Sequence, residues 1–248
     1  MSKLANVMWL STSSGLQCFH QPLIDYFLQS VKMHSYSFCQ YQDEGSCLDR
    51  AVLALYHHIK SKNRKFHLVG HGTAGLIGLL YSCRYPETVE SLTLLSVGAD
   101  AAVSWQYHYY EHRMYKSRAE ILNAMVYNLF GYQDNRTIPM LERILEQELE
   151  YSLCPHSIYK RLSLRPARIA APLMVCGSFD DMIVDGDALR AWQPYLKPED
   201  RLWLCSQGKH FFHFFHPELV GTQVLNFWGS LQQSKSEFAQ LSSMKVSI

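Results

Sequence analysis

The sequence predicts an α/β fold built on a mostly parallel sheet of about six strands. Three observations carry that expectation. Short apolar runs alternate with segments of helical period along most of the chain. The intervening helices are long enough for crossover connections between parallel strands. One apolar run, Phe66-His67-Leu68-Val69, passes directly into Gly70-His71-Gly72-Thr73-Ala74-Gly75 and then into a nearly all-apolar helix.

The elements follow in order. Val7-Met8-Trp9-Leu10 is a short apolar strand that ends in the loop chemistry of Ser11-Thr12-Ser13-Ser14-Gly15. Pro22 to Gln29 reads as a helix, and Met33 to Cys39 alternates as a strand does. Leu48, Ala51, Leu53, Leu55 and Ile59 recur at helical spacing, with Lys60 and Lys62 at the end of that helix. After the glycine-rich turn, Leu76 to Arg84 is the apolar helix, which Pro86 stops, and Ser91 to Val97 is a buried strand. Residues 101 to 165 interrupt the alternation. They are helical, polar and rich in tyrosine, and read as an insertion lying over the sheet. The alternation resumes with a strand at Pro172 to Cys176, a helix at Gly186 to Tyr195, a strand at Arg201 to Cys205 and a helix at Pro217 to Leu231. The expected organisation is a core of residues 1–100 and 166–233, a cap of 101–165 and a polar tail of 234–248.

Composition narrows the function. Apolar residues are 48% of the 248 and charged residues 18%, enough for a large core. The net charge of +1 argues against a nucleic-acid binder working by bulk basic charge. No apolar run has the length of a membrane span, and Met1 to Asn6 lacks a signal-peptide pattern. The seven cysteines are scattered and form no C-x-x-C pair, so the expectation is a reducing, cytoplasmic setting.

A strand, a sharp glycine-rich turn and a buried helix form the architecture of a nucleophile elbow. Phe66 to Tyr81, followed by Arg84-Tyr85-Pro86-Glu87-Thr88-Val89-Glu90-Ser91-Leu92, resembles the elbow, helix and next strand of the α/β-hydrolase superfamily in unbroken order. The resemblance runs from about Asn6 to Trp228. It implies an α/β-hydrolase fold with a helical cap, lacking the family's first two strands. The departure is at the nucleophile. Where the family has Gly-x-Ser-x-Gly, this chain has Gly70-His71-Gly72-Thr73-Ala74, so Gly72 stands at the position of the serine. Glycine cannot form an acyl-enzyme, although it accepts a strained turn readily.

The resemblance places the other triad members at intact positions. Gly177-Ser178-Phe179-Asp180 matches the family's Gly-x-x-Asp turn, which puts Asp180 in the acid position with Asp181 as the adjacent alternative. Gly208-Lys209-His210 matches the loop that bears the histidine. An Asp–His pair can act as a general base without serine. It is weighed against two inert residues, a helix-capping Asp and a packed His. Oxyanion-hole candidates are Ser11, Thr12 and Thr73, against a turn rich in local hydrogen bonds. His71, Trp105 and Tyr109 are candidates for the pocket wall.

Several alternatives are weighed and set aside. Thr73 as nucleophile would put His71 where a small residue is needed. Ser178, Ser206 and Ser14 are the serines nearest the right loops. His210, His213 and His216, three apart, span a loop and a helix start, so no metal is expected. Gly70-x-Gly72-x-x-Gly75 matches a dinucleotide fingerprint literally, but Glu87 and Glu90 fall before the next strand, so no cofactor is expected. Two functional readings remain. One is a hydrolase-like protein that binds a small carbonyl-containing or aromatic or apolar ligand under its cap, with the His–Asp pair acting on water or substrate. The other is a pseudoenzyme that binds or scaffolds. The expected partner is a small-molecule ligand, with no nucleic acid and no membrane span.

Overall fold

A computed structural model describes residues 5–40 and 44–245, with side chains up to residue 234. Six strands form one sheet: β1 (Asn6–Ser11), β2 (Lys32–Ser37), β3 (Phe66–His71), β4 (Val89–Leu95), β5 (Leu173–Ser178) and β6 (Arg201–Cys205). Their order is β2-β1-β3-β4-β5-β6, and each adjacent pair is parallel. The chain steps from β1 outward to β2, then crosses back to start β3 on the other side of β1. The order therefore reverses between β1 and β3, and a crevice opens beyond the carboxyl ends of those two strands.

Both faces of the sheet are covered, which is why the central strands read as continuous apolar runs. Successive side chains point to opposite faces. Met8, Leu10, Leu68, Leu92, Leu94 and Val175 pack on one face beneath α2 (Leu48–Lys60) and α3 (Gly72–Arg84). Val7, Trp9, Val69, Leu95, Met174 and Cys176 pack on the other. There they meet Leu23 and Phe27 of α1 (Gln21–Leu28) and Val220, Val224, Phe227 and Trp228 of the last helix.

The insertion contributes α4 (Trp105–His112), α5 (Arg118–Phe130) and α6 (Thr137–Tyr151). It is helical only as far as Tyr151. Residues 152–172 form neither helix nor strand, and Pro155, Pro166 and Pro172 deny that stretch the amides a helix would use. The helix expected over Gly186 to Tyr195 is divided into α7 (Gly186–Arg190) and a 3₁₀ turn at Gln193–Tyr195. Pro194 lies in that turn and cannot donate to a continuing helix. After the short α8 (Phe212–Phe215), the last helix, α9, spans Pro217–Lys245 and takes in most of the expected polar tail. Residues 246–248 of that tail lie outside the described residues. Among the described residues no helix is long and apolar enough to cross a membrane.

The turn from β3 into α3 is closed by backbone contact. A Cβ on Gly70 would stand 2.7 Å from the Gly75 nitrogen and 2.8 Å from the Ala74 carbonyl carbon. A Cβ on Gly75 would meet Val97 at 2.7 Å and the Gly70 oxygen at 2.9 Å. Gly70→Ala is therefore expected to destabilise the fold by about 1–3 kcal/mol. Gly229→Ala, in α9 where a Cβ meets nothing within 4 Å, is expected to stabilise it by about 0.5–1 kcal/mol. Urea unfolding of both variants checks the pair, and a Gly70→Ala midpoint equal to wild type would refute the close approach.

Candidate functional site

The crevice at the β1/β3 reversal holds a cavity of about 40 Å³, room for roughly three or four water molecules. The ends of both strands supply its floor: Ser11, Thr12 and Ser13 after β1, and His71 to Ala74 at the β3–α3 turn. The cap supplies its roof through Ser104, Trp105, Gln106, Glu148, Ser152 and Leu153. His210 enters from the loop after β6.

Gly72 occupies the tip of the turn with φ +51°, a left-handed conformation that favours glycine. A Cβ built there meets nothing within 4 Å. The site therefore has open space where a side chain would stand. Helix α3 begins at Gly72, and no side chain caps it. Its first-turn amides, including those of Thr73 and Ala74 on the cavity wall, lack intrahelical partners and carry the positive end of the helix dipole.

His210 Nδ1 lies 2.9 Å from Asp181 Oδ2, and the two side chains are 1% and 0% exposed. The partner is thus Asp181 and not Asp180, which corrects the first choice made from the sequence. The reason is competition for the carboxylates. Asp180 Oδ1 accepts from Ser178 Oγ at 2.6 Å and from the Lys209 amide at 2.9 Å. Burial would raise the Asp180 carboxyl, but those two hydrogen bonds and the nearby Lys209 ammonium hold it below its ordinary value. Asp181 is turned inward by its own loop. Its Oδ1 accepts from the Ile183 amide at 2.8 Å and the Val184 amide at 3.1 Å, leaving Oδ2 for the histidine. The His210 loop is set by Gly208 at φ +124° and Lys209 at φ +54°. A Cβ on Gly208 would stand 2.6 Å from the Phe212 Cα. The carbonyl of His210 accepts from Ser96 Oγ at 2.9 Å and from His71 Nε2 at 3.1 Å.

The other expected site residues divide. Ser11, Thr12, Thr73, His71 and Trp105 all line the cavity. The Ser11 hydroxyl is engaged locally: it donates to the Ser13 carbonyl at 2.7 Å and accepts from the Ser13 amide at 3.3 Å. Tyr109, expected on the wall, is instead buried in the core against Tyr110, with ring centroids 5.2 Å apart. It lies one helical turn beyond Trp105, on the part of α4 that packs inward.

Two residues that the sequence reading did not single out also reach the cavity. Glu148 is buried on α6 at the face defined by Leu141 and Leu145. A charge in an apolar helical stripe was the signal that could have found it. His20 precedes α1 and joins a buried group with His71, His210 and His213. Ring centroids lie 5.2 Å apart for His20–His71, 5.1 Å for His20–His213, 4.9 Å for His71–His213 and 4.7 Å for His71–His210. His20 Nδ1 and His213 Nε2 are 2.9 Å apart and share one proton. Burial, followed by the neighbouring His210 charge, lowers His20 to about 3. Burial and adjacent histidines also hold His71 and His213 well below the ordinary value. These three rings are therefore neutral in the folded state.

That neutrality makes stability depend on pH. The unfolded chain binds protons at these histidines near pH 6.5, whereas the folded chain does not until far lower pH. Stability is fully present above pH 6.5 and falls as the pH drops toward 3, by up to about 1.4 kcal/mol per unit for each group. Urea unfolding at pH 7.5, 6 and 5 should show this decline, and His20→Gln should remove about one proton from the uptake on unfolding. An unchanged slope in His20→Gln would rule out its burial as a neutral ring. The Asp181 assignment is checked separately by nitrogen NMR of His210. Asp181→Asn should change the tautomer or its population, and Asp180→Asn should leave it as in wild type.

No family model matches the chain. It is 41% identical over 230 residues to an uncharacterised protein of Nostoc, alr2406, a match covering 92% of each chain. It is 40% identical over 228 residues to an uncharacterised protein of Synechocystis, sll0249, covering 91% of each. Among solved structures it superposes on the meta-cleavage product hydrolase of Pseudomonas fluorescens with a TM-score of 0.71 at 11% identity, covering 92% of each chain. It also superposes on naproxen esterase of Bacillus subtilis with a TM-score of 0.67 at 14% identity, covering 92% of this chain and 85% of that one. The chain thus belongs to the family of alr2406 and sll0249, and its fold is the α/β-hydrolase fold.

Proposed function

We propose that this protein is a hydrolase-like enzyme without a serine nucleophile, in which the His210–Asp181 pair acts as general base on a water or on the substrate itself. The observation that carries the reading is the buried 2.9 Å hydrogen bond between His210 and Asp181 beside the open space above Gly72. With Nδ1 directed at Asp181, His210 Nε2 is the nitrogen left to act in the cavity. It would take a proton from a water, and the resulting hydroxide would add to a carbonyl carbon. The imidazolium so formed is stabilised by Asp181, and Nε2 returns the proton to the departing group. The Thr73 amide at the start of α3, with an amide near Thr12, would hold the oxyanion. Gly72 stands at the nucleophile position and leaves room for the water.

A second reading, a binding or scaffold protein that has lost its chemistry, draws support from the small size of the cavity, about 40 Å³. Labelling by a fluorophosphonate separates the two. On the first reading, wild type does not label and Gly72→Ser does. Adding His210→Ala to Gly72→Ser should then slow labelling by about 10²–10⁴-fold. If Gly72→Ser stays unlabelled, the scaffold reading takes its place. Labelling of the wild type would point to another serine, Ser14 being the nearest considered.

A further inference from the structure

The roof of the cavity contains a group that the base mechanism does not use. Glu148 is 4% exposed, and it lines the same cavity as His210. Its Oε1 accepts from the Gly15 amide at 3.0 Å. The Cβ that Gly15 lacks would stand 2.9 Å from that oxygen, so the glycine makes room for the carboxyl. Burial raises the Glu148 carboxyl above its ordinary range, against hydrogen bonds from the Ser13 hydroxyl, the Gly15 amide and the Ser152 hydroxyl. Among the described residues no Lys or Arg lines the cavity. A carboxylate offers about four acceptor positions, so these three donors leave room for one more from a ligand in the cavity.

The cavity is therefore polarised between two walls. Uncapped amides at the start of α3 offer donors on the floor. Glu148 offers an acceptor on the roof. A ligand that satisfies both must carry a carbonyl oxygen and, a bond or two away, an N–H or O–H group. The volume of about 40 Å³ admits roughly three or four non-hydrogen atoms. An anion there would face the carboxyl oxygens of Glu148 and meets no Lys or Arg on the cavity wall. We infer that Glu148 is the residue that selects the ligand, and that the cavity takes a small neutral molecule of the primary-amide class. Its carbonyl lies toward the start of α3 and its N–H toward Glu148. This inference rests on the reading of the cavity as the ligand site but not on any turnover there.

The test titrates wild type and Glu148→Gln with acetamide and with acetate at pH 7, following the ring resonances of His210. The side chain in Glu148→Gln keeps its size and an oxygen for the Gly15 amide, so a thermal melt should remain near that of wild type. In wild type, acetamide should shift His210 saturably with a Kd at least tenfold below that of acetate. In Glu148→Gln that preference should shrink at least tenfold as acetate gains. The inference is overturned if wild type binds acetate as well as acetamide, if neither shifts His210, or if Glu148→Gln keeps the wild-type preference. Should Glu148→Gln fail to fold, the wild-type comparison alone decides. Loss of fluorophosphonate labelling in Gly72→Ser with the acetamide preference intact would sink only the catalytic reading. Labelling without the preference would sink only this one.

Discussion

Everything at the candidate site depends on one steric constraint, the backbone-to-backbone contact that closes the turn between β3 and α3. Gly70 and Gly75 let the first turn of the helix lie against the strand that feeds it. The helix axis is thereby aimed at the crevice where the strand order reverses. Its unpartnered amides and its dipole arrive with it, so the position of the donor wall follows from two missing Cβ atoms. The strained conformation at Gly72 belongs to the same turn, and glycine meets it at little cost.

Electrostatics sets one hydrogen-bonded Asp–His pair beside three neutral rings. Asp181 faces His210 inside the protein and draws two further amide hydrogen bonds from its own loop. A buried carboxylate survives only with such partners. The nearby rings of His20, His71 and His213 are buried too closely together to share positive charge.

The sheet was largely legible because fully buried parallel strands leave uninterrupted apolar runs, as in Leu68-Val69 and Leu92-Thr93-Leu94-Leu95. The turn at Gly70 to Gly75 was legible because so few residue types fit it. The choice between Asp180 and Asp181 was not, because neighbouring residues in a turn point in different directions and the competitors, Ser178 and the Lys209 amide, come from different strand ends. Tyr109 was misplaced because aromatic residues in a cap serve packing and ligands equally well. Glu148 and His20 went unread because they are brought to the cavity by tertiary packing across more than a hundred residues of chain, which local pattern cannot register.

The cap is fastened to both loops that carry the His–Asp pair. His108 on α4 donates to the Ile183 carbonyl at 3.1 Å, two residues beyond Asp181. Phe130 at the end of α5 stacks on Phe211, the residue after His210, at 4.9 Å and 8°. Widening the cavity by lifting the cap would pull on both halves of the pair at once. Admission of a larger guest and alignment of the proton-holding groups are therefore mechanically opposed in this architecture. A molecule too big for the closed cavity would meet a site whose two halves had been drawn out of register by its own arrival.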